Sequence, residues 1–93
     1  MYTGSFLYDQ RMAGKKTDPE IVAAFAERFT LLREEANLER ADVAYDLRVP
    51  YTQLHSWGSG KFCPSMHYLV KIADYFDVSL DYLVGRSDDR KRR

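Results

Sequence analysis

Between Asp18 and Gly85 the apolar positions recur at intervals of three and four residues, the spacing of helices that bury one face. The first run follows Asp18-Pro19-Glu20, which supplies a side-chain acceptor, a ring that pre-sets φ and an acid near the positive helix end. Ile21, Phe25, Phe29, Leu32 and Ala36 then mark an inward face, with Asn37 as a left-handed stop. Glu39 to Leu47 reads as a second helix with Val43, Ala44 and Leu47 inward, and Ala44 is small enough to let another helix cross closely. Val49-Pro50 forces a turn, because the residue before a proline is pushed out of the helical region. Residues 51 to 57 form a third helix with Leu54 and Trp57 on one side, ended by Gly58-Ser59-Gly60. Ser65 caps a fourth helix whose Leu69, Ile72, Ala73 and Phe76 face inward, and Asp77, tolerant of the left-handed region, breaks it. Ser79 caps a last short helix, Leu80 to Val84, that Gly85 closes.

No run alternates as a strand would, so the pattern predicts an all-α fold, a compact five-helix bundle over residues 18–86. Residues 1–17 carry no period and read as a flexible N-terminal arm. Residues 87–93 form a charged tail without an apolar anchor, expected to fray as a C-terminal arm.

Composition narrows the options. Ninety-three residues, 45% hydrophobic and 30% charged, make one small domain. A chain of this size buries only about 60% of its unfolded surface, which leaves no room for a large catalytic cleft and favours completing the core with a second copy. One cysteine excludes an internal disulfide, and a lone thiol suits a reducing cytoplasm. No stretch approaches the ~18 apolar residues of a membrane span, and Asp9 interrupts Phe6-Leu7-Tyr8 before a signal-peptide core can form. Fourteen basic residues balance fourteen acidic ones, so a nucleic-acid reading must rest on position and not on bulk charge.

Position supplies one. Leu32-Arg33-Glu34-Glu35 through Leu38, Val43-Ala44, Trp57 to Gly60, Pro64-Ser65 and the run LVKIADYFDVSLDYLVGRSD from Leu69 to Asp88 occur in order. With them, the block from Leu31 to Asp88 resembles the lambda-repressor-like, Cro-type helix-turn-helix family, also called the xenobiotic-response-element family. The resemblance implies that the second and third helices form a helix-turn-helix, the third entering the major groove of double-stranded DNA. It implies a bacterial or phage transcription regulator, by default a repressor. Four positions depart from the family's usual pattern. Arg48 stands where the turn usually has glycine, Pro50 where Ser or Thr usually caps the recognition helix, Gly58 where an acid usually follows the tryptophan, and Asp77 where glycine is common.

On that alignment residues 50–57 are the recognition helix. The wheel agrees: with Leu54 and Trp57 inward, Thr52, His55, Ser56 and Ser59 lie opposite, and Tyr51 sits at the exposed N-terminal end. Tyr51, Thr52, Gln53, His55 and Ser56 are the candidate base readers; the face offers hydroxyls, an amide and an imidazole, and lacks an arginine for guanine. Arg40, Arg48, Ser59 and Lys61 are the candidate contacts to the DNA backbone.

Other chemistry is poorly supported. Cys63 and His67 stand four apart and His55 is near in sequence, yet Pro64 intervenes and no four-ligand metal set can be written. Nothing marks a partner base for Cys63 as a nucleophile, so no catalytic residue, metal or cofactor is expected and the chain does not read as an enzyme. Tyr68, Tyr75 and Tyr82 recur every seven residues; Tyr75, Val78, Leu80, Tyr82 and Leu83 are the expected homodimer surface. Lys15-Lys16 and Arg90 to Arg93 read as DNA-tracking arms or as solubilising tails. The alternative to a DNA regulator is the same scaffold used for protein binding, as an antirepressor, antitoxin or adaptor, with the aromatic arm Tyr2, Phe6 and Tyr8 as a partner surface.

Overall fold

A computed structural model of the chain describes residues 19–92. Five helices follow one another: α1 (Pro19–Glu35), α2 (Arg40–Leu47), α3 (Tyr51–Gly58), α4 (Met66–Phe76) and α5 (Leu80–Leu83). The described residues contain no strand. Asp18, the expected cap of α1, and the N-terminal arm with Lys15-Lys16 and Tyr2, Phe6 and Tyr8 lie outside the described residues.

α1 runs through the centre, packing on α3 and α5, while α2 packs on α3 and α4 on α5. Its inward face is Val22, Phe25, Ala26, Phe29 and Leu32. Phe25 and Phe29, one turn apart, stack with centroids 5.3 Å apart. Phe29 meets the edge of Trp57 at 6.4 Å and of Phe76 at 6.1 Å, so one side chain ties α1 to α3 and α4. Trp57, Phe25, Phe29, Leu54, Ile72, Leu83 and Val43 are the largest fully enclosed side chains.

All five helices end alike. In each, a residue at the helix cap or directly after it takes a left-handed conformation, and the next residue's N–H reaches back to a carbonyl five positions earlier. Leu38 bonds Arg33, Val49 bonds Ala44, Lys61 bonds Ser56, Val78 bonds Ala73 and Arg86 bonds Asp81. Gly60 and Gly85 fill two of the left-handed positions; Asn37, Arg48 and Asp77 fill the others at φ 57°, 60° and 56°. The expected stops at Asn37 and Asp77 are present, and Arg48 adopts the conformation for which glycine is better suited. A Cβ in this region costs roughly 1–2 kcal/mol. Val49 and Val78, the apolar residues that follow, are buried and pin two of the turns to the core.

Several expectations change. Ile21 is 44% exposed, because the buried arc of α1 centres between Phe25 and Val22 and leaves Ile21 at its edge. Ala36 is exposed, lying past the end of α1 in the turn, while Leu69 and Phe76 are half-buried. Ser79 caps α5 by accepting from Tyr82 N–H at 3.0 Å, whereas Ser65 occupies the start of α4 without a side-chain cap bond. Val84 caps α5 and is not its last turn.

The tail expected to fray is tied to the bundle as far as Arg92. Ser79 N–H donates to the Arg90 carbonyl at 3.0 Å, and Ser79 Oγ to the Asp89 carbonyl at 3.2 Å. Arg90 forms a two-pronged pair with Glu35 at 2.8 and 3.0 Å, while Arg92 pairs with Asp74 at 2.5 Å and Asp77 at 3.4 Å. From α1, Arg28 donates to the Ser87 carbonyl at 2.8 Å and to Asp88 at 2.8 Å. The Arg28 and Arg90 guanidinium carbons stand 4.4 and 5.1 Å from the Tyr82 ring centroid. The missing apolar anchor is replaced by charge and backbone bonds to residues far away in sequence.

Candidate nucleic-acid interface

The connection from α2 to α3 is the three residues Arg48-Val49-Pro50, the length of a helix-turn-helix turn. Its ends are held by the left-handed Arg48 and by Pro50, whose extended backbone at φ −61°, ψ 144° starts α3. The Pro50 carbonyl accepts from Gln53 and Leu54 N–H, each at 3.1 Å. No side chain caps α3, so the Tyr51 and Thr52 amides, which do not donate to Pro50, remain available to an acceptor from outside.

Leu54 and Trp57, 1% and 2% exposed, anchor α3 to the core. That burial turns Tyr51, Thr52, Gln53 and His55 to solvent, with Ser56 half-buried beside them. The sequence-predicted readers therefore share one outward surface. Tyr51 and His55, one turn apart, stack at 6.3 Å. Ser56 Oγ donates to the Thr52 carbonyl at 3.1 Å, and Ser59 Oγ donates to the Ser56 carbonyl at 3.3 Å. Both hydroxyl protons are thus spent within the helix.

Three cations border this helix: Arg40 opens α2, Arg48 stands in the turn and Lys61 follows α3, all exposed. Glu39 N–H donates to Asp42 Oδ2 at 3.3 Å, stapling the start of α2 that carries Arg40. Asp46 on α2 accepts from Tyr75 Oη at 2.6 Å. Burial, followed by that bond to Asp46, pushes the Tyr75 phenol up to about 12. Burial also raises the Cys63 thiol, which keeps it protonated and a poor nucleophile.

The expected dimer surface is not brought together. Val78, Tyr82 and Leu83 are 3%, 5% and 0% exposed within the chain's own core, and Tyr75 is half-buried and bonded to Asp46. Leu80 alone of that set is exposed, at 42%, as is Val70 at 42%; both line an open groove with Ala73 and Val78. Tyr45, Phe62 and Met66 were not singled out by sequence, yet are 83%, 52% and 78% exposed, on α2, in the loop after α3 and at the start of α4. The signal for Tyr45 was available, since it lies outside the inward set Val43, Ala44 and Leu47. No described helix is long and apolar enough to cross a membrane.

A family model described as helix-turn-helix matches residues 31–83, from the last turns of α1 to the end of α5. The cryptic phage CTXphi transcriptional repressor RstR of Vibrio cholerae is 37% identical over 60 residues, 64% of this chain and 54% of that protein. The helix-turn-helix-type transcriptional activator BcrR of Enterococcus faecalis is 37% identical over 61 residues, 66% of this chain and 30% of that protein. The chain thus spans about half the length of the first relative and under a third of the second. No solved structure matches the chain.

Proposed function

Because the chain belongs to the lambda-repressor-like helix-turn-helix family, we propose that it is a sequence-specific DNA-binding regulator of transcription. The observation that carries this reading is the polar outward surface of α3, Tyr51, Thr52, Gln53, His55 and Ser56, backed by the buried Leu54 and Trp57. α3 enters the major groove, and Arg40, Arg48 and Lys61 hold phosphates on either side without reading sequence; Ser59 joins them only by turning its hydroxyl proton away from the Ser56 carbonyl. RstR is a repressor and BcrR an activator by name. Repression by covering a promoter is the simpler assignment here, since it asks nothing of the chain beyond occupancy.

The protein acts as a homodimer that sets two recognition helices in successive major grooves, about 34 Å apart. With Val78, Tyr82 and Leu83 interior, the second copy docks through Leu80 and its exposed neighbour Val70. Fluorescence anisotropy against duplex DNA from upstream of the protein's own gene and a scrambled duplex, at two salt concentrations, tests the reading. Tight binding to the first that weakens steeply with salt is expected, because phosphate contacts release counterions. A folded protein that binds neither duplex at low salt refutes it. That outcome would favour the protein-binding alternative, supported by the exposed Tyr45, Phe62 and Met66 and by zero net charge.

A further inference from the structure

The outward surface of α3 has a chemical polarity of its own. Each serine hydroxyl carries one proton, and those of Ser56 and Ser59 are donated to the Thr52 and Ser56 carbonyls at 3.1 and 3.3 Å. What they turn outward is lone pairs. Thr52, directly opposite Leu54 and Trp57 on the wheel, is exposed and adds a methyl group. No Lys, Arg, Asp or Glu occurs between Tyr51 and Gly60.

In the major groove, guanine shows two acceptors and requires donors; with the Ser56 and Ser59 protons committed, the strip keeps only the single Thr52 hydroxyl proton, which cannot serve both. An A·T pair shows the adenine N6 amino donor and the thymine C5 methyl. A C·G pair offers an amino group without the methyl. Short side chains along the strip also let the helix axis approach the groove floor closely, whereas the longer Gln53 and His55 stand to its sides.

We propose that α3 selects an A·T pair at the centre of each half-site, with the Thr52 methyl against the thymine methyl as the discriminating contact. This rests on the DNA-binding reading above and deepens it. Thr52 specifies; Ser56 accepts from the adenine amino group beside it.

The test begins with the full chain and a pool of random duplexes carried through rounds of binding-site selection. An A·T pair is expected at one fixed position of each selected half-site. Deoxyuridine then replaces thymine there, removing only the methyl. The dissociation constant should rise roughly fourfold per half-site, the value of one buried carbon group. The same replacement should have little effect in Thr52→Ser, which keeps the hydroxyl and loses the methyl, and its fold is checked by circular dichroism. A selected motif with G·C at the central position, or a deoxyuridine effect of equal size in Thr52→Ser, overturns the proposal. Salt-sensitive binding without sequence enrichment overturns it too, while leaving the DNA-binding reading intact. Absence of binding to any duplex at low salt removes both.

Discussion

Two glycines at helix ends should respond with opposite sign to the same substitution. Gly58 is the last residue of α3, and a Cβ placed on it would meet Phe29 Cδ2 and Thr30 Oγ1 at 3.9 Å, ordinary van der Waals contact. Gly58→Ala therefore removes unfolded-chain entropy without a clash and should stabilise the domain by about 0.5–1 kcal/mol. Gly85 stands at φ +84°, where a Cβ would lie 2.7 Å from the Ala24 Cβ of α1. Gly85→Ala incurs the left-handed penalty of roughly 1–2 kcal/mol and must also push α5 away from α1. For a domain of this size 1 kcal/mol moves Tm by about 4–8 °C, so the two variants should be well separated in thermal melts followed by circular dichroism. Urea titrations should show an altered midpoint with an unchanged slope for Gly58→Ala. Destabilisation by Gly58→Ala, or an unchanged melting temperature for Gly85→Ala, would refute the packing described at these helix ends. Because Gly58 lies behind the polar surface of α3, Gly58→Ala should leave DNA affinity unaltered.

Trp57→Ala empties a position between Phe29 and Tyr68, whose ring centroids stand 6.4 and 5.4 Å away; about 3–5 kcal/mol should be lost, and a fully stable variant would break the assignment of α3's inward face. Arg40→Ala should weaken binding to all duplexes alike and reduce the logarithmic salt slope by about 1, whereas unaltered affinity at low salt would misplace α2 on the DNA. Arg90's hydrogen bond holds the Glu35 carboxyl below its ordinary value, so this pair contributes above the ordinary carboxylate range and is lost as pH falls through the lowered value. Glu35→Gln should lower Tm at neutral pH and low salt but match the parent at about 1 M salt, where charges are screened within ~3 Å; a salt-independent deficit would contradict an electrostatic tether. Tyr75, raised from 10.0 to about 12, contributes stability that is complete below pH 10 and declines as pH rises toward 12. Tyr75→Phe should flatten that alkaline decline in equilibrium urea unfolding, and an unchanged decline would deny that the buried Tyr75 phenol is the group responsible.

The surface that reads DNA in this proposal was legible early because it depends on one short helix. Leu54 and Trp57, three residues apart, can both face inward only if Thr52 faces out, and the structure keeps that arrangement. The left-handed ends at Asn37 and Asp77 were legible for the same reason, since an amide or carboxylate side chain tolerates positive φ locally. What α3 offers chemically was less so: the back-bonds from Ser56 and Ser59 depend on rotamers, and residue identity leaves either polarity open.

Local periodicity determined that five helices form, nearly where each begins and ends, and which side of α3 is polar. Tertiary packing alone decided the edge position of Ile21, the enclosure of Val78, Tyr82 and Leu83, and the attachment of the tail. The reason is range. Helical spacing, caps and left-handed turns act over three to five residues and are written in consecutive letters, whereas Glu35 and Arg90 meet across 55 positions. Whether an apolar residue such as Tyr82 or Leu80 faces its own core or solvent is likewise set by which helices lie against it, and that exists only once the chain has closed on itself.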